Sequence, residues 1–158
     1  MNPTTEPPRA ARHASVPNDV LFGEVARRLA AGQAVTLRAK GGSMYPFIVD
    51  GRDSVVLRQP ETLRRGEVVL ARTQERGWVV HRIVALGPDR VTLMGDANLC
   101  VRETCHPADV CGVAAVIVRR GRAVDCGGRA ERLRAALWLR LLPVRRGLLF
   151  VLRHCRAF

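Results

Sequence analysis

Ser43 stands in the stretch AKGGSMYPFI, residues 39–48. Gly41 and Gly42 bring backbone conformations that other residues resist, and Pro46 stops regular structure just after them. Such a turn either reverses the chain or presents a nucleophile. A serine works as a nucleophile when a base lies within hydrogen-bond reach and donors hold the oxyanion. Four histidines are available. His13 lies in a proline-rich start, His106 precedes Pro107, and His154 is near the C-terminus. His81 differs, because it sits inside WVVHRIV. An imidazole within an apolar strand must find a hydrogen-bond partner. Taken alone it reads as a satisfied structural histidine; taken with Ser43 it becomes the candidate base. A histidine, with an ordinary pKa of about 6.5, needs little tuning for that role. A lysine, at about 10.4, would need strong desolvation. Lys40 is the only lysine and reads as a loop or phosphate-contacting residue. LMGDAN, residues 93–98, ends a strand in a Gly-Asp turn. Asp96 is an ordinary turn residue by itself, and beside an imidazole it would fix the tautomer.

The elements that must position these groups are mostly strands. NDVLFGEVARRLAA, residues 18–31, has the spacing of a helix, with Asn18 or Asp19 as cap and Gly32 beyond its end. Strands are expected at 34–39, 53–58, 67–72, 78–86, 90–94, 110–118 and 122–126, each rich in Val and Ile and bounded by Gly, Pro or Asp. Strands at this spacing, without helical crossovers, argue for a mainly β domain with an antiparallel sheet or partial barrel.

The ends differ from this core. Residues 1–17 read as a proline-rich, disordered arm without a signal-peptide apolar stretch. Residues 127–158 read as a basic helical tail after the 18–126 domain. In RAERLRAALWLRLL, Leu133, Leu137 and Leu141 share a face, with Trp138 and Leu142 beside it. VRRGLLFVLRHCRAF repeats the theme after Pro143. This is the pattern of an interfacial membrane helix, the alternative being a helix packed on the β domain. The chain of 158 residues carries 26 Lys+Arg against 14 Asp+Glu, a balance that favours polyanions: an anionic membrane face or nucleic acid. Aromatics at 4% argue against a stacking platform for single strands. The cysteines Cys100, Cys105, Cys111, Cys126 and Cys155 include no CxxC pair. Cys100, Cys105, His106 and Cys111 fit no usual zinc spacing, so no metal or other cofactor is expected and the thiols read as reduced.

In chain order come Gly-x-Ser-Met-x-Pro, Gly-Arg-Asp-Ser-Val, Arg-Arg-Gly-Glu-Val-Val, Val-Val-His-Arg-Ile-Val, Gly-Asp-Ala-Asn and a Gly-Val strand. Over residues 34–118 this series resembles type I signal peptidases and, more broadly, the signal-peptidase and SOS-repressor superfamily of serine peptidases (S24/S26). The His-Arg form looks like the archaeal, sporulation-type and endoplasmic-reticulum branch. The resemblance implies a coiled antiparallel β fold with Ser43 as nucleophile, His81 as general base and Asp96 as its support. It also implies an oxyanion hole using the Ser43 N–H, and Gly42, Met44 and Pro46 shaping the loop and cleft. The implied substrate is an extended peptide with small residues before the cut, bound by strand addition.

Three departures accompany the likeness. Gly41 stands where many members carry a hydroxyl. The second acid of His-type members is not evident at Val101 and Arg102, and Glu103 is the nearest acid. VDGRDSV has one residue more than the usual spacing, so Asp53 is an approximate match. Without an N-terminal anchor or export signal in view, the sequence suggests a cytoplasmic enzyme, peripheral on the inner membrane face, acting on a leader peptide. Two other readings remain: a catalytically inactive peptide-binding homologue, and a basic nucleic-acid binder.

Overall fold

A computed structural model describes residues 18–154; the expected arm at 1–17 and Cys155 lie outside them. The order is helix α1 (Asn18–Ala30), then strands β1 (Val35–Arg38), β2 (Ser54–Arg58), β3 (Val68–Thr73), β4 (Gly77–Leu86), β5 (Val91–Met94) and β6 (Glu103–Cys105). A 3₁₀ turn at Pro107–Asp109 leads into β7 (Val110–Arg119), β8 (Arg122–Asp125) and helices α2 (Arg129–Arg140) and α3 (Arg145–His154). The mainly β class, the N-terminal helix and the C-terminal helices all agree with the sequence. β6 was not anticipated, because three residues give too short a pattern to separate from a loop.

All pairings are antiparallel, in the order β1-β2-β7-β3-β4-β5-β6, with β8 also on β7. β7 has ten residues, long enough for β3 and β8 to share one of its edges in succession. Register shifts interrupt the β2–β7, β3–β7 and β4–β5 ladders. Such bulges bend strands and increase twist, and the sheet curls until β6 meets β3.

The alternation along β4 divides its side chains between two environments. Val79, His81 and Ile83 lie on the face packed with Val69, Val91, Leu93 and Cys105 inside the curl. Trp78 and Val80 face the other cluster, where Val25 and Leu29 of α1 meet Leu57, Leu70, Met44 and Ile48. Leu29 rests against Gly112, where an added Cβ would come within 2.8 Å of its methyl. Gly112 thus permits the close approach of α1 to β7.

The C-terminal helices pack on this body. Trp138 of α2 meets the Phe47 ring edge-to-face, with centroids 5.3 Å apart. The Tyr45 hydroxyl donates to the Leu152 carbonyl of α3 at 2.8 Å. Arg145, only 1% exposed, donates to the Trp138 carbonyl at 2.8 Å and the Asn98 carbonyl at 3.4 Å, and stacks on the Trp138 ring. Its burial lowers the guanidinium below its ordinary pKa. The face that packs inward is Ala135 and Trp138, whereas Leu133, Leu137 and Leu141 are exposed. No helix among the described residues is long and apolar enough to cross a membrane.

Candidate functional site

Ser43 lies in the turn after β1. Gly41 takes φ +83°, a left-handed conformation that a side chain would strain. The turn is pinned from below by Met44, which is buried and whose carbonyl accepts from the N–H groups of Phe47 and Ile48. The Gly42 carbonyl accepts from Tyr45 N–H, and the Tyr45–Pro46 peptide is cis. Gly42, Met44 and Pro46 therefore all belong to the loop that carries Ser43. Asp53 holds the loop's far end, taking the Val49 N–H at 2.9 Å and both donors of Arg52. Burial works to raise the Asp53 carboxyl, but these hydrogen bonds and the positive charges of Arg52 and Arg119 bring it below its ordinary value.

The Gly-Asp-Ala-Asn turn meets that loop directly. Ala97 N–H donates to the Ser43 carbonyl at 2.8 Å. A Cβ on Gly95 would lie 2.6 Å from the Ser43 carbonyl oxygen, 2.9 Å from Asn98 Nδ2 and 3.2 Å from His81 Nε2. The Ser43 main chain, the Asn98 amide and the His81 imidazole thus converge on one side of Gly95, which has room for them only as glycine. Asn98 Nδ2 is buried and has no partner among the described residues. The Ser43 N–H likewise donates to no backbone carbonyl there.

His81 is 4% exposed, and its Nδ1 lies 3.0 Å from Glu103 Oε2. The register explains the contact. Ile83 pairs with Leu93 and Leu93 with Glu103, so Glu103 shares the inner face with His81, one step along the row. With Nδ1 engaged by the carboxylate, the ring is held in one orientation, and Nε2 lies beside Gly95, where the Ser43 carbonyl also approaches; no hydrogen bond joins Nε2 to Ser43 Oγ among the described residues. The other Glu103 oxygen has no hydrogen bond and lies 3.7 Å from Arg76 Nε in the β3–β4 turn.

Asp96 is placed otherwise than the sequence suggested. Its two oxygens take Arg82 Nε at 2.8 Å and Nη2 at 2.6 Å, and they do not reach His81. Arg82 is the neighbour of His81 on β4, so it points to the opposite face. It also pairs in register with Met94, which brings Asp96 alongside. Arg82 completes its bonding at the Gly66 carbonyl and stacks over Phe47 at 5.1 Å. Asp96 is therefore held by Arg82, which lies on the Phe47 side of the Ser43 loop. Glu103, noted in the sequence only as the nearest acid, is the histidine's partner. The one signal for it was a carboxylate in a short β-prone stretch, eight residues beyond Gly95.

The remaining groups lie apart from this cluster. His106 Nδ1 accepts from Ala108 N–H and caps the 3₁₀ turn. Cys105 is buried on β6 and Cys100 is exposed. No group of three or more His, Cys, Asp or Glu among the described residues is arranged to hold a metal ion. Lys40 directly precedes Gly41 and makes none of the cluster's hydrogen bonds among the described residues.

A serine on a glycine-rich turn, an acid-held histidine and two N–H donors without a partner thus lie close together. No curated protein matches the chain. The Peptidase S24-like family matches over residues 5–118, which is more than half of the chain and includes Ser43, His81, Asp96 and Glu103. The protein belongs to the Peptidase S24-like family.

Proposed function

We propose that the protein is a serine endopeptidase of the His-type, signal-peptidase-like branch, cutting an extended peptide or leader after a small residue. The observation that carries this reading is the imidazole of His81, tied at Nδ1 to buried Glu103 while Nε2 faces the Ser43 turn across Gly95. In the reaction Nε2 accepts the Ser43 Oγ proton as Oγ attacks the scissile carbonyl carbon. The negative charge that develops on the carbonyl oxygen is met by the Ser43 N–H and by the unpaired Asn98 amide, which substitutes for the hydroxyl that Gly41 lacks. The protonated imidazole, stabilised by Glu103, then delivers the proton to the leaving amine. Water, deprotonated by the same nitrogen, hydrolyses the acyl-serine.

The peptide would bind by strand addition. β5 pairs with β4 only from Arg82 onward, which leaves the Gly77–Val80 edge leading to His81 unpaired by β5. β1 pairs only with β2 among the described strands, so its outer edge is open as well. Free edges of this kind accept an extended chain through main-chain hydrogen bonds.

The test is cleavage of a peptide library with small residues before the scissile bond, read by mass spectrometry. Cleavage by the wild type that is lost in both Ser43→Ala and His81→Ala supports the reading; cleavage surviving Ser43→Ala refutes the nucleophile. A second reading, an inactive peptide-binding homologue, is favoured by Gly41, which supplies no side-chain oxyanion donor. Peptide binding without cleavage, unchanged by Ser43→Ala, would select it.

A further inference from the structure

The outward faces of α2 and α3 carry an apolar stripe that nothing among the described residues covers. Leu133, Leu137, Leu141 and Val144 are 61%, 48%, 38% and 59% exposed, and Phe150 and Val151 of α3 are 63% and 53% exposed. At 100° per residue, Leu133 and Leu137 lie opposite the buried Ala135 and Trp138, with Leu141 at the edge of their face. Phe150 and Val151 lie opposite the buried Arg145 and Leu149 in the same way. Both helices are therefore anchored to the body by one face and present the other to solvent.

Arginines surround that stripe. Residues 127–154 contain Arg129, Arg132, Arg134, Arg140, Arg145, Arg146 and Arg153 against a single acid, Glu131. All but Arg145 are exposed, and only Arg134 is taken by Glu131. Arg129 and Arg140 fall on the same side of α2 as Leu133 and Leu137, one at each end, where long stems can lie along apolar surface and raise the charge to its rim. An apolar centre with a cationic border matches the boundary between acyl chains and anionic headgroups. Two copies stacked on this face would bring their arginines together, and a nucleic-acid backbone offers the leucines no apolar surface.

We infer that the α2–α3 face docks on an anionic lipid bilayer. The helices that would rest there also hold the site: Tyr45 of the nucleophile loop donates to Leu152, and Arg145 donates to the Asn98 carbonyl of the Gly-Asp-Ala-Asn turn. Docking would thus set the orientation of Ser43 and His81 to the lipid surface. The inference stands on the exposed face alone and does not depend on catalysis.

Co-sedimentation of the full chain with vesicles of phosphatidylcholine containing phosphatidylglycerol tests it, with pure phosphatidylcholine as reference. The expected result is binding to the anionic vesicles that weakens with salt and is at least tenfold weaker on pure phosphatidylcholine. The double variant Leu133→Glu/Leu137→Glu, with unchanged circular dichroism, should lose binding by at least tenfold. Arg129→Gln and Arg140→Gln should each weaken it about fivefold, the worth of one cation near an anionic surface. Absence of binding to anionic vesicles overturns the inference, as does binding that ignores the leucine substitutions. So does self-association of the lipid-free wild type, in light scattering, that the leucine variant abolishes, since the face would then belong to a second copy.

Discussion

At the scale of single residues, the acids around His81 have separable tasks. Glu103 holds the imidazole, so Glu103→Gln should keep the fold and reduce the peptidase kcat by roughly 10²–10⁴, the range for losing a triad acid. Asp96 instead pairs with Arg82 in a buried site. Removing one partner of a buried pair leaves an uncompensated charge and costs about 3–5 kcal/mol, so Asp96→Ala should appear as a large fall in Tm. The two variants thus fail in different assays, and equal kinetic defects with intact stability would reverse the assignment. Asp53 gives a pH-dependent case. Its folded pKa is lowered, so its stabilisation is present above the unfolded carboxylate value of about 4 and is lost as pH falls through the lower folded value. Asp53→Asn should lower stability by about 1–3 kcal/mol at pH 7, and its Tm gap to wild type should close in acid. Thiol chemistry separates the cysteines equally plainly. Burial, with Asp109 and Glu75 nearby, pushes Cys105 up to about 11, and burial pushes Cys126 up to about 11. Iodoacetamide at pH 8 should modify exposed Cys100 first among the described cysteines, as peptide mass spectrometry would show.

At the scale of elements, two turns make the site and the strands determine where they meet. The Ser43 turn and the Gly95–Asn98 turn are joined by the Ala97–Ser43 hydrogen bond and by the space that Gly95 leaves. Gly95→Ala would force a methyl to within 2.6 Å of the Ser43 carbonyl oxygen, so the two turns must separate. The expected outcome is loss of cleavage with a stability cost of about 1–3 kcal/mol, checked by denaturant melts alongside the peptide assay. The sequence marked both turns through Gly, Asp and Pro. It did not mark β6, and without β6 Glu103 stood out only as the nearest acid. Three residues of strand have too little periodicity to be recognised, yet their pairing with β5 decides which carboxylate the histidine meets.

At the scale of the whole molecule, the tail and the body form one packed unit around the site. Tyr45→Phe removes the hydroxyl that donates to Leu152 and should cost about 1 kcal/mol, with faster amide exchange in α3 as the local readout. Arg145 makes the tie from the other side, buried against Trp138 and the Asn98 carbonyl. In sequence it is one arginine of several, and only its position at the start of α3, turned into the body, makes it structural. The leucines Leu133, Leu137 and Leu141 were evident as a stripe from their spacing, and the interfacial reading had them facing outward; that Trp138, beside them in the pattern, packs inside with Ala135 was not.

By itself the sequence determined the mainly β class, seven of the eight strands along the chain, and the turn and strand that carry Ser43 and His81. These follow from local patterns: alternation, turn residues and motif order, each legible within a few neighbours. Tertiary structure decided the partners. Glu103 reaches His81 across two strand pairings, Asp96 turns to Arg82 because adjacent residues of β4 face opposite ways, and Arg145 closes a distance of 47 residues to Asn98. Side-chain partners of this kind depend on register and on which face is buried, and both are properties of the assembled sheet.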